Sequence, residues 1–138
     1  MPVITELIRT EEDGSLSFGN YELESKSKIS DYEHREDLYK VKTYHEITKL
    51  ERNGMFVYES VPGTGVDHFS VNNAEIIFNV EGKEDVQITL GLEEDTEYEV
   101  FVSASPMGIM KTNLSGKLVL GVELEPGVPV KIRLVKHS

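Results

Sequence analysis

The chain has 138 residues, with 25 acidic against 14 basic side chains and a formal net charge of −11. That length suits one domain with a core that needs no staples, and so negative a surface repels phosphate backbones and anionic membranes. Neither nucleic acid nor a membrane is therefore expected as a partner. The sequence has no cysteine, which removes disulfides, thiolate metal sites and cysteine nucleophiles. The opening "MPVITELIRT" has neither a basic start nor an apolar signal core, so a cytoplasmic protein is the expectation, with a module cut from a longer secreted protein as the alternative.

The dominant signal along the chain is period two, interrupted by turn residues. "VITELIR" alternates, and Asp13-Gly14 turns it towards "SLSFGNYEL". Residues 24–37, "ESKSKISDYEHRED", hold eight charged residues and only Ile29 and Tyr32 as large apolar groups. They read as a polar, mobile surface loop, or more sharply as a lid over a binding face. "LYKVKTYHEI" places Tyr39, Val41, Thr43, His45 and Ile47 on one face, with Lys40, Lys42, Tyr44 and Glu46 opposite. Asn53-Gly54 is the strongest hairpin signal, because both residues tolerate the positive φ of a type I′ turn. It joins "EITKLER" to "MFVYESV", and "AEIIFNVEG", "DVQITLGL", "TEYEVFVSA", "GKLVLGVEL" and "VPVKIRLV" follow. No segment reads as a helix. The expected fold is a single-domain, all-β antiparallel sandwich of jelly-roll or immunoglobulin-like type, with about nine to ten strands.

Within residues 88–104, "ITLGLEEDTEYEVFVSA", the positions Leu92, Thr96, Tyr98, Val100, Val102 and Ala104 form a recognisable series. It resembles the E–F corner and F strand of fibronectin type III and related immunoglobulin-like sandwiches. The resemblance implies that Tyr98 is a tyrosine corner, a structural residue with its ring buried and its hydroxyl bonded to backbone near Leu92 to Asp95. The segment "MKTNLSGKLVLGVEL" also resembles the closing hairpin of accessory sandwich domains in polysaccharide-degrading enzymes.

Residues 61–73, "VPGTGVDHFSVNN", resemble part of the second histidine motif of cupin barrels through Gly65, His68 and Asn72. The resemblance would imply a small metal enzyme built around His45 and His68. A cupin's first motif also supplies His-x-His, yet Thr43 and Ile47 flank His45 at those positions, and Glu51 alone does not replace an imidazole. A lone imidazole does not hold a catalytic metal. An ordinary turn leading into a strand is the better reading, with no metal and no cofactor. His45 itself reads as a satisfied core or boundary histidine. The acidic clusters "EEDG", "EGKED" and "LEEDTE" fall in turns without the Asp-x-Asp spacing of a calcium loop. Neither a Gly-x-Ser-x-Gly elbow nor a phosphate-cradling loop occurs, so no catalytic residue is assigned.

Against the acidic background, Lys40, Lys42 and Tyr44 share a strand face, with Lys49 and Arg52 further along. An aromatic flanked by cations can stack on a sugar ring and hold its carboxylate or sulfate. The competing reading is a strand edge defended by lysines. Phe56 and Tyr58 are the further exposed aromatics of such a carbohydrate-binding surface. Several strands are also apolar on both faces, which puts Phe101 and Val119 forward as an interface. The expected function is a non-catalytic binding or assembly module, a homo-oligomer or the partner of another protein. A carbohydrate-binding module is the alternative, and a cupin-like metal enzyme is the third reading.

Overall fold

Residues 3–137 are described by a computed structural model; Met1 and Pro2, which open the stretch read above for signals, and Ser138 lie outside it. The described residues form thirteen strands: β1 (Ile8–Thr10), β2 (Leu16–Phe18), β3 (Ser27–His34), β4 (Asp37–Tyr44), β5 (Ile47–Arg52), β6 (Met55–Val61), β7 (Gly65–Val71), β8 (Glu75–Glu81), β9 (Val86–Gly91), β10 (Glu97–Val102), β11 (Ser105–Lys111), β12 (Lys117–Val122) and β13 (Val130–Lys136). They pair into a seven-stranded sheet, in the order β1-β2-β7-β8-β13-β10-β11, and a six-stranded sheet, β12-β9-β6-β5-β4-β3. Every pairing is antiparallel.

Alternation builds the core, as the sequence requires. Val41, Leu50, Tyr58, Ile88, Leu90, Leu118 and Leu120 point inward from the six-stranded sheet. They meet Phe18, Val66, Phe69, Phe78, Val100, Ile132 and Leu134 from the other. The result is an all-β antiparallel sandwich, with thirteen strands where about nine to ten were expected.

The difference has three physical sources. Residues 24–37 are not a loop, because most of them form β3, paired with β4. Ile29 faces Val41 and Tyr32 faces Tyr39, so three residues of β3 span two of β4. Ser30 and Asp31 take up the difference in a bulge, with Asp31 at φ 60°. Without that bulge, period two would send Ile29 and Tyr32 to opposite faces. An edge strand needs only these side chains and His34 inward, and its charges remain in water.

The second source is turn chemistry. Asn53 and Gly54 have φ of 52° and 80°, as their types lead one to expect. Arg35 and Glu36 adopt 51° and 70°, and Ser103 and Ala104 adopt the same pair of values, without glycine or asparagine. Ala104 therefore sits in a turn and not on the strand face assigned to it. Beyond it, β11 carries Pro106 and Gly108 and bulges between Gly108 and Pro106, which hides it from a periodicity reading.

The third added strand is β7, the strand that the turn at Pro62-Gly63 leads into. A separate difference is His45. With Glu46 it forms the two-residue turn between the paired Tyr44 and Ile47. It is exposed, its Nδ1 lying 3.2 Å from the Leu23 carbonyl oxygen, and it is not the core or boundary residue that uninterrupted alternation implied.

Candidate functional site

Register aligns basic side chains on the outer face of the six-stranded sheet. Lys28 lies opposite Lys42, Lys42 opposite Lys49, and Lys49 opposite Glu59. The row continues through Thr89 to Val119 on the far edge strand. Neighbouring strands are about 4.8 Å apart, so the three lysine stems are rooted over roughly 10 Å across the strands. Like charges directly opposite one another destabilise a sheet. Of these three lysines, only Lys49 forms an ion pair among the described residues, its Nζ lying 3.6 Å from Glu51. Among the described residues, Lys28, Lys40 and Lys42 form no ion pair.

Two aromatic–lysine pairs flank this ladder. Lys26 Nζ lies 5.8 Å from the Tyr44 ring centre, and Lys117 Nζ lies 4.9 Å from that of Phe56. The Tyr44 hydroxyl donates to Glu46 at 2.8 Å, which raises its pKa above the ordinary tyrosine value. Phe56 stands beside Gly91, whose missing side chain makes room for it: a Cβ there would come 2.3 Å from the Phe56 carbonyl oxygen and 3.0 Å from its ring. Lys26, Lys28, Lys40, Lys42, Lys49 and Lys117 thus gather six of the chain's 14 basic residues on one face of a protein of charge −11.

The structure brings Lys40, Lys42, Tyr44 and Phe56 to this face, but not Tyr58. Phe56 pairs with Glu51 and Tyr58 with Leu50, leaving Val57 as an extra residue that turns Tyr58 inward. Its side chain is fully buried, and its hydroxyl lies 2.8 Å from Thr64 Oγ1. Burial raises its pKa far above the ordinary value. Tyr58 belongs instead to a buried hydroxyl cluster with Thr43, Thr48, Ser60 and Thr64. Lys26, Lys28 and Lys117 were missed by sequence reasoning. The Lys-x-Lys spacing at 26 and 28, matching that at 40 and 42, was the available signal.

Phe101 and Val119 do not share a surface. Phe101 lies on the outer face of the seven-stranded sheet, half-buried beneath the Arg133 guanidinium, 5.7 Å from its ring centre. Val119 lies on the outer face of the other sheet and is 51% exposed. One second copy cannot cover both. Tyr98 is buried, and its hydroxyl accepts the Glu93 N–H at 3.4 Å.

The remaining titratable groups are held by local partners. His68, at φ 54° within β7, has Nδ1 3.0 Å from Asp67, which raises its pKa and itself accepts from Asn79 at 2.8 Å. Glu11 accepts from the Ser17 hydroxyl at 2.5 Å and from Arg9 at 2.9 Å, and is held below the usual carboxylate range. Among the described residues, no three His, Asp or Glu side chains converge as a metal cage. A groove of about 760 Å³ opens between the sheets at one end, lined by Tyr39, Arg52, Phe56, Val57, Phe69 and Glu93 among others. The chain matches no protein-family model, no curated protein and no solved structure.

Proposed function

We propose that the protein is a non-catalytic binding module whose working surface is the outer face of the six-stranded sheet, and that its partner is negatively charged. The Lys28–Lys42–Lys49 ladder carries this reading. Aligned ammonium groups weaken the sheet that bears them, and an anion laid across them relieves that repulsion. Defence of an edge would need lysines on β3 alone, whereas this row extends two strands inward. The winding of the chain between two sheets fits a jelly-roll or immunoglobulin-like sandwich, and jelly rolls include lectin domains.

Self-association is the second reading, favoured by the exposed Val119 at the far end of the ladder's row. A second copy meeting the lysine face with an acidic surface would make a head-to-tail contact and not a closed pair.

Fluorescence anisotropy with labelled polyglutamate at low salt tests the main reading. The wild-type chain should bind, and the triple variant Lys28→Gln, Lys42→Gln, Lys49→Gln should lose binding while keeping its circular dichroism. Equal binding by both would overturn it. Sedimentation equilibrium separates the second reading, since a single species near 15.6 kDa would exclude it.

A further inference from the structure

We infer that the anion is an acidic polysaccharide, a uronate- or sulfate-bearing chain lying across the strands from β3 to β5. This rests on the proposed binding face and names its ligand class. The extent of the ladder is the first argument. The row is cationic for three strands and then meets Glu59, so about three ligand charges are accommodated before the face turns repulsive. Lysines rooted about 4.8 Å apart suit a polymer with one charge per sugar-sized repeat. Duplex DNA brings a charge every 1.7 Å or so, and its unmatched phosphates would meet a chain of net charge −11.

The second argument is the pairing of a cation with an aromatic ring. Tyr44, two residues from Lys42 on β4, offers an apolar ring with the Lys26 ammonium over it, whereas Phe56 on β6 lies beyond Glu51 and outside the span of the ligand. A sugar acid has the matching pair of features, an apolar C–H face and a carboxylate or sulfate. A polyanion recognised by charge alone would need no such ring.

Isothermal titration of the intact chain with oligogalacturonates of increasing length tests this, using neutral oligosaccharides, polyglutamate and single-stranded oligonucleotides as comparisons. Affinity should rise with length until about three carboxylates are engaged and then level off. It should fall with salt with a log–log slope set by about three released counterions. Tyr44→Leu, which keeps bulk without the ring, should weaken oligogalacturonate binding roughly threefold to tenfold, the size of one aromatic contact, and Phe56→Leu, outside the ligand's span, should not. Both should leave polyglutamate binding unchanged. If polyglutamate binds as tightly and Tyr44→Leu has no effect, the polysaccharide is refuted while the anionic face stands. Tighter oligonucleotide binding would overturn the inference in favour of nucleic acid. Failure to bind any of the anions would refute the binding face itself.

Discussion

The two sheets solve the same folding problem with opposite use of charge. On the seven-stranded sheet and its flanking turns, Arg9 lies 2.9 Å from Glu11 and Arg133 lies 2.9 Å from Glu75. Lys136 lies 2.5 Å from Glu93, and Lys111 lies 3.1 Å from Asp95. Four of the five cations on its strands each have a carboxylate, and Lys131 forms no ion pair among the described residues. On the six-stranded sheet the ladder lysines face one another, and among the described residues only Lys49 of the three forms an ion pair. Inside, the contrast reverses. The seven-stranded sheet lines the core mainly with aromatic and aliphatic groups, while the six-stranded sheet adds hydroxyls from Thr43, Thr48, Tyr58 and Ser60. All of these hydroxyls are hydrogen-bonded. A fold that satisfies its buried polar groups so fully has left its lysines unpaired only where water, or a ligand, can reach them.

The largest effect on stability should come from the six-stranded sheet's inner face. The Thr48 hydroxyl donates to the Thr64 carbonyl at 2.8 Å and accepts from the Thr64 N–H at 3.0 Å. Thr48→Val should therefore destabilise by about 2 to 4 kcal/mol, since it orphans buried backbone groups. Urea unfolding measures this, and a loss below 1 kcal/mol would mean that water or a neighbouring hydroxyl replaces the bond. On the other sheet, Tyr98→Phe removes one long acceptor from Glu93 and should cost about 1 kcal/mol by the same measurement.

The seam between the sheets should respond to pH. His34, on β3, is buried with Nδ1 2.9 Å from Thr10 Oγ1 on β1, and that threonine also meets the Tyr32 hydroxyl at 3.0 Å. Burial lowers the pKa of His34, with Arg35 adding to the effect and Asp37 opposing it. A histidine whose folded pKa lies below its unfolded value contributes stability above about pH 6.5 and loses it as pH falls. His68 has the opposite sign, because its pKa is raised by Asp67. In a His68→Ala background, the thermal midpoint should therefore fall between pH 7 and pH 5 by more than in the same background carrying His34→Gln. Parallel profiles would show that His34 is not the group concerned. The smallest effect should be on the paired outer face. Arg133→Gln should change stability by less than about 1 kcal/mol and leave anion binding untouched.

Much of this architecture was legible in residue types. Alternation identified an all-β sandwich, Asn53-Gly54 marked its hairpin, and Tyr39, Val41 and Thr43 were placed together on an inner face. Bulges are what alternation does not reveal. One extra residue at Val57 separates Phe56 from Tyr58, and one at Ser30–Asp31 brings Ile29 and Tyr32 together. The first error put a core tyrosine on the outer face. The second hid β3, and with it Lys28, the lysine that completes the ladder. Lys40 and Lys42 were visible because β4 alternates without interruption. That they oppose Lys49 and Lys28 depends on register, which no single strand encodes.

Lys42 occupies the middle of the ladder, so Lys42→Glu tests the central claim most directly. That substitution sets a carboxylate between Lys28 and Lys49 and turns two repulsive cross-strand pairs into attractive ones. If the lysines are kept for a ligand at the expense of the sheet, the free variant should be more stable than wild type by about 0.5 to 1 kcal/mol in urea. Its binding of polyglutamate or oligogalacturonate should fall by at least about tenfold, the equivalent of 1.4 kcal/mol. A variant no more stable than wild type that still binds the anion would contradict the account.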